Sequence, residues 1–235
     1  MPSDMQLAVV LPSWVYDTER ARLANLAFET LAKTRTRHFA RTPWLGLLIR
    51  EPKIPFQYPT YEELSPNLEL GMLGQGVQLS GTEQTLAYGT QTFFDKGADY
   101  VTWMGDDALF HPEWLHELQK LIYRHPDAKC WSVYRSAHTA FHKTLEERDG
   151  DVMTASICGH GFTISKQEWT EWGINWRDGA WCCHAGDTLD LVHAQNRPGE
   201  RWCTGVSYIE HTGRYGQHCR PHIPEWAQFF QGVEG

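Results

Sequence analysis

The sequence predicts an α/β fold in a single domain, with a central, mostly parallel sheet flanked by helices, and three observations carry that prediction. Leu7-Ala8-Val9-Val10-Leu11 and Leu45-Gly46-Leu47-Leu48-Ile49 are short continuous apolar runs, the pattern of parallel strands covered on both faces. Between them, from Asp17 or Thr18, the residues Leu23, Leu26, Ala27, Thr30 and Leu31 fall on one helical face, so the chain opens strand, helix, strand. A third apolar run, from Asp99 to Met104, halts at Gly105-Asp106-Asp107. With right-handed crossovers, these pieces give a doubly wound, Rossmann-like sheet.

The remaining elements follow in order. Residues 52–72 are rich in Pro, Tyr and Glu and read as a long surface connection. Gly71, Gly74 and Gly76 precede a helix expected from about Ser80 to Lys96; without a Lys-Ser or Lys-Thr and without a clear preceding strand, they are not a P-loop. After the acid pair, a helix is expected from Pro112 to about Arg124, with Pro112 suited to its first turn. Cys130 to Tyr134 reads as a strand and residues 136–155 as a polar surface excursion. Ser156 to Ser165 reads as a strand whose glycines permit close backbone approach, followed by a short helix over Lys166–Trp172. A helix from Asp187 to about Ala194 and a strand over Val206–Ile209 complete the series.

Composition narrows the function. With 235 residues, 41% of them hydrophobic, the chain has enough length for one real core. Most of the eleven Trp are expected in it, because aromatic rings dominate buried area. A formal charge of −8 does not favour a nucleic acid or an anionic membrane as a bulk partner. Charge is uneven, however: Arg20, Arg22, Lys33, Arg35, Arg37, Arg41 and Arg50 face only Glu19 and Glu29, and read as a solvated helix face and loop. That basic stretch permits a nucleic-acid acceptor without requiring one. No apolar run is long enough to span a bilayer, and no signal peptide precedes the first strand, so a cytoplasmic location is expected. The six cysteines are then free thiols; a zinc site from Cys182, Cys183, His184 and Cys219 lacks paired spacing.

The acid pair carries the chemistry. Carboxylates at the carboxyl end of a central strand lie where open α/β sheets bind ligands. Side by side they repel unless a cation neutralises them, and oxygen ligands suit a hard divalent metal that also grips phosphates. The same residues would also serve as a polar turn and helix cap.

In order along the chain stand Pro12-Ser13-Trp14 after the first strand, the acids at 106 and 107, Gly159-His160-Gly161-Phe162, and Gly186-Asp187 before a helix carrying Asp190-Leu191. His211 follows the last strand. This order resembles the GT-A fold glycosyltransferases, in particular the inverting family 2 group, over roughly Leu7 to Gly213. The resemblance implies a metal-dependent transferase that moves a sugar from a nucleotide-sugar donor, first a UDP-sugar, to a hydroxyl of a glycan, a protein or a modified nucleobase. It implies that Pro12, Ser13, Trp14, Glu51 and Asp106 hold the donor. It also implies that Asp107, His211 and Asp106 bind Mn2+ or Mg2+, and that Gly159, His160 and Gly161 line the acceptor side. Asp187 is the implied base, with Asp190 its rival. The family's first metal-motif Asp is Gly105 here, and the Glu of its catalytic pair is Gly186. Residues 212–235, with Trp226, Phe229 and Phe230, are expected to form a tail covering the active site. Two other readings compete. A nucleotidyltransferase-like enzyme would need a basic, glycine-rich loop after the first strand, and Pro12-Ser13-Trp14-Val15-Tyr16 has none. A non-catalytic carbohydrate- or partner-binding module with a degenerate cleft would release no free sugar from a donor.

Overall fold

The first apolar run becomes β1 (Leu7–Ser13), and its two faces explain why it shows no alternation. Leu7, Val9 and Leu11 pack on one side of the sheet with α1 (Thr18–Ala32) and α4 (Trp114–Arg124). Ala8 and Val10 pack on the other side with α3 (Thr82–Lys96). A strand buried on both faces has no polar side to show. The computed structural model describes residues 4–64, 68–75, 81–136, 143–157, 160–175, 177, 188–212 and 230.

β2 (Trp44–Ile49) and β4 (Tyr100–Trp103) flank β1, both parallel to it. The main sheet also contains β3 (Glu69–Gln75), β6 (Cys130–Ser132), β7 (Thr144–Arg148), β8 (Asp151–Thr154), β9 (Thr163–Ser165) and β10 (Arg201–Thr204), in the order β3-β2-β1-β4-β9-β6-β10-β8-β7. All but β8 and β9 run in one direction. A separate two-stranded ribbon pairs β5 (Ala108–Phe110) with β11 (Ile209–His211). Short helices α2 (Tyr61–Leu64) and α5 (Lys166–Trp172) and the two-turn α6 (Leu189–Asn196) complete the described residues. The expected mixed α/β domain with a mostly parallel, helix-flanked sheet is therefore what the chain forms.

Several boundaries differ from expectation, for local reasons. Residues 52–72 are not simply a surface connection: they contain α2 and lead into β3, an edge strand whose apolar run is broken by Gly71 and Gly74. The excursion at 136–155 contains the β7–β8 hairpin, which turns on Asp149 (φ 53°) and Gly150 (φ 82°). The strand read over 156–165 contracts to β9, antiparallel to both β4 and β6. β10 is buried along its length beside β6, yet it begins with Arg201, which hid it from an apolar-run criterion. The strand read over 206–209 moves to β11. Helix α4 begins at Trp114, because Leu109 and Phe110 pair into the ribbon.

Of the tryptophans, Trp103, Trp114, Trp131 and Trp202 are fully buried, and each indole N–H donates to a partner: Thr90 Oγ1, Thr34 Oγ1, the His125 carbonyl and Glu200 Oε2, at 2.8–2.9 Å. Burying the ring while satisfying its donor is the condition for an interior Trp. Among the described residues, no helix is long and apolar enough to cross a membrane.

Candidate active site

β1 and β4 end together: the Met104 N–H donates to the Val10 carbonyl at 3.0 Å, so the residues after each strand meet at one sheet edge. From β4 come Asp106 and Asp107, both buried. Although adjacent, the two carboxylates face different surroundings. Asp106 is closed on the β1 side: Ser13 Oγ donates to its Oδ2 at 2.5 Å, the Trp14 N–H to the same oxygen at 3.2 Å, and Arg20 Nη2 to its Oδ1.

Asp107 is open. Arg20 Nη1 donates to its Oδ2 at 2.6 Å, and His211 Nε2 lies 3.3 Å from that oxygen. Its other oxygen, Oδ1, is buried and has no hydrogen-bond partner in the described structure. An unused buried carboxylate oxygen is costly unless something binds it. Ligand atoms of Asp107, His160 and His211 lie within 4.8 Å of one another, a separation that one metal ion can bridge. Gly105 is part of this cradle, because a Cβ there would stand 2.5 Å from Asp107 Oδ1 and 2.6 Å from His160 Cε1. One carboxylate and two imidazoles are a donor set that fits a divalent ion such as manganese.

The backbone delivers each histidine. His211 sits opposite Ala108 in the β5–β11 ribbon, and Thr212 clamps the pairing: its N–H and hydroxyl both donate to the Asp107 carbonyl, at 2.8 and 2.7 Å. His160 precedes Gly161, whose φ of 76° turns the chain into β9; the Gly161 N–H donates to the Trp103 carbonyl at 2.8 Å. A Cβ at Gly161 would press on Ser132 Oγ at 2.7 Å, so glycine suits this turn on both counts. The two imidazoles stack with centroids 4.0 Å apart.

Electrostatics separate the acids further. Burial works against ionisation of Asp107, but His211, His160 and Arg20 outweigh it and hold its carboxyl well below the usual carboxylate range. Burial pushes the Asp106 carboxyl up, with a further push from Asp107 that Arg20 and Ser13 only partly offset. Partial burial opposes the charge on Arg20, yet the two carboxylates hold it protonated.

The other expected positions scatter around this centre. Pro12 and Ser13 close β1, and Trp14 follows them half-buried. The Trp14 ring is covered by cations, with Arg50 Cζ 4.1 Å and Lys53 Nζ 4.9 Å from its centroid, so a base stacking there would share or displace them. Glu51 is exposed just past β2. His160, expected on the acceptor side, joins the Asp107–His211 cluster instead, while Asp106 lies outside that cluster. Gly159, Asp187, the thiols and His184 of the zinc alternative, and all of the tail except Thr212 and Phe230 lie outside the described residues. Asp190 is buried in the first turn of α6.

Two residues enter without having been expected. Arg20 was read as part of a solvated basic face, but its guanidinium turns inward. The signal was present, since Arg20 precedes Leu23, Ala24, Ala27 and Leu31 on the buried stripe of α1. Glu83, in the first turn of α3, accepts from the Leu189 N–H at 2.8 Å and so fixes the start of α6. Burial raises its carboxyl to about 7, aided by Asp190 and opposed by that hydrogen bond.

No protein-family model and no curated protein sequence matches the chain. Solved structures do. S. aureus TarS aligns over 87% of this chain and 36% of its own, at 12% identity and a TM-score of 0.56. GalNAc-T7, determined with UDP, GalNAc and Mn2+, aligns over 96% of this chain and 47% of its own, at 13% identity and a TM-score of 0.61. A197 from STIV aligns over 98% and 97%, at 10% identity and a TM-score of 0.50. The chain thus spans about a third of TarS and under half of GalNAc-T7. These likenesses show a GT-A glycosyltransferase fold.

Proposed function

We propose that this GT-A fold serves a metal-dependent glycosyltransferase that moves a sugar from a nucleotide-sugar donor to an acceptor hydroxyl, with inversion at the sugar carbon. The observation that carries the reading is the open Asp107 carboxylate beside His160 and His211, at the edge where β1 and β4 end. Asp107, His160 and His211 would hold Mn2+ or Mg2+. Such an ion neutralises charge developing on a departing diphosphate.

The rest is the work of the chain's own side chains. Pro12, Ser13, Trp14 and Glu51 bind the nucleoside, and Asp106 anchors that wall through Ser13 and the Trp14 N–H. A UDP-sugar is the preferred donor; TarS has been determined with UDP, as has GalNAc-T7. Gly159 and Gly161 bring backbone close to the acceptor. Asp187 takes the acceptor proton as general base, a role that calls for a carboxylate just before α6, whose start Glu83 fixes. Asp190, buried in the helix, is the brace. The setting is the cytoplasm, consistent with Cys130 and Cys203 being buried free thiols. The tail over 212–235 covers the site to exclude water. Phe230 would anchor the end of that tail, because it bridges to Ser207 and packs on the core. The acceptor is a glycan, a protein or a modified nucleobase.

A binding titration with UDP and Mn2+, followed by a donor-hydrolysis and transfer assay, tests the reading. Wild-type protein should bind UDP in a manganese-dependent way, and Asp187→Asn should bind alike but lose transfer by about 10²- to 10⁴-fold. Manganese-dependent UDP binding that persists in Asp107→Ala would overturn the metal assignment. An inactive, stable Asp190→Asn beside an active Asp187→Asn would move the base to Asp190.

A further inference from the structure

We infer that Arg20 is a built-in competitor of the metal, so that cation loading is tied to the arrival of the donor's diphosphate. The inference rests on the proposed metal site and concerns a residue outside it. Arg20 forks across both acids, Nη2 to Asp106 and Nη1 to Asp107 Oδ2, the same oxygen that His211 approaches. Without a metal, this guanidinium is the cation that lets two adjacent carboxylates stay buried together. A divalent ion on Asp107, His160 and His211 would sit beside that guanidinium, and two cations sharing one carboxylate repel each other.

Arg20 is suited to yield. Its Nε is buried with no hydrogen-bond partner in the described structure, so the head group is held through its two terminal nitrogens alone. The side chain is 17% exposed, at the rim of the site, on a long flexible stem. Its backbone does not need to move: the Arg20 N–H is fixed by the Asp17 cap at 2.7 Å.

Charge then sets the order of binding. Two carboxylates and Arg20 carry one net negative charge, and a divalent ion turns the centre positive. A diphosphate restores the balance and offers the guanidinium new oxygens, to which arginine binds well. Metal alone therefore binds weakly and metal with nucleoside diphosphate binds strongly. The coupling is reciprocal, so metal tightens the diphosphate by the same factor.

Calorimetry with MnCl2, in the absence and presence of UDP, on wild type, Arg20→Met and Arg20→Lys tests this. The Met variant should bind Mn2+ alone at least about tenfold more tightly than wild type, and the enhancement by UDP should shrink correspondingly. The Lys variant, whose single ammonium lacks the planar fork that bridges both acids, should fall between and decides the matter if Arg20→Met does not fold. Mn2+ affinity in both variants equal to or weaker than wild type would overturn the inference while leaving the site intact. Absence of Mn2+ binding in every protein, with and without UDP, would remove the site and the inference together.

Discussion

Two buried carboxylates, Asp107 at the sheet edge and Glu168 in α5, are each surrounded by cationic groups, and the contrast between them separates a site from a strut. Glu168 spends both oxygens inside the protein. Arg197 Nε donates to Oε1 at 2.6 Å with His193 Nε2 at 3.2 Å, while Lys129 and Arg197 Nη2 donate to Oε2 at 2.8 and 3.1 Å. That network ties α5 to α6 and to the start of β6, and both Glu168 oxygens are taken up by it. Asp107 crowds its partners onto one oxygen and leaves the other bare. Burial opposes both charges; in Glu168 the hydrogen bonds from Arg197 and Lys129 win and bring the carboxyl to about 2. A closed network serves stability, whereas an open one keeps a valence for a ligand.

The largest effect should come from the strut. Glu168→Ala leaves Arg197 and Lys129 with only the exposed Glu171 carboxylate as counter-charge, and because both cations reach solvent the cost should lie at or below about 3 kcal/mol, the low end for a broken buried pair. Chemical denaturation should show that loss as a lower midpoint with an unchanged slope. A change within a few tenths of a kcal/mol would mean that the network is ornamental. Asp107→Asn should do the reverse, keeping the fold while Mn2+ affinity falls by at least about 100-fold, since even groups that only orient a metal ligand are worth ten- to 100-fold. Equal stability loss in the two variants would erase the difference between site and strut.

A smaller effect is expected from pH. Burial first, then Arg201, lowers the His193 imidazole to about 4 from its ordinary 6.5. Below 6.5 the unfolded chain takes up a proton that the folded chain refuses. Stability therefore falls as pH drops from about 6.5 to 4, by up to about 1.4 kcal/mol per pH unit, and is unaffected by this group above 6.5. In His193→Gln that part of the acid limb should flatten, as the difference between the two proteins' unfolding free energies across pH would show. The smallest change is Gly105→Ala. Its Cβ pushes against Asp107 Oδ1 and His160, so Mn2+ affinity should weaken by about tenfold, with melting temperature moved by no more than ~4 °C. An unaltered titration would show that the cradle has room to spare.

The two halves of the sheet were not equally readable in the sequence. β1, β2 and β4 announce themselves because parallel strands covered on both faces are continuously apolar, and α1 between the first two carries an apolar face. From β6 onward the strands are short, β8 and β9 run antiparallel, and β10 starts with a buried arginine, so pattern gives way to tertiary context. The acids and His211 stood out by position after strands. Arg20 did not, because a charged residue on an apolar stripe is easily assigned to solvent; its meaning depends on Asp106 and Asp107, 86 and 87 residues away. Glu83 is of the same kind, since its partner at Leu189 is 106 residues on.

The ribbon that joins β5 to β11 has a temporal consequence. Asp107 and His211 are 104 residues apart, so during synthesis the acids emerge long before the strand that brings the second imidazole and the Thr212 clamp. Arg20 is made before either acid, so the chain holds a counter-charge for both carboxylates before it holds His211 and Thr212. The ligand atoms of Asp107, His160 and His211 come together only when β11 pairs with β5, so the cluster is a product of the last long-range pairing rather than of the acids alone.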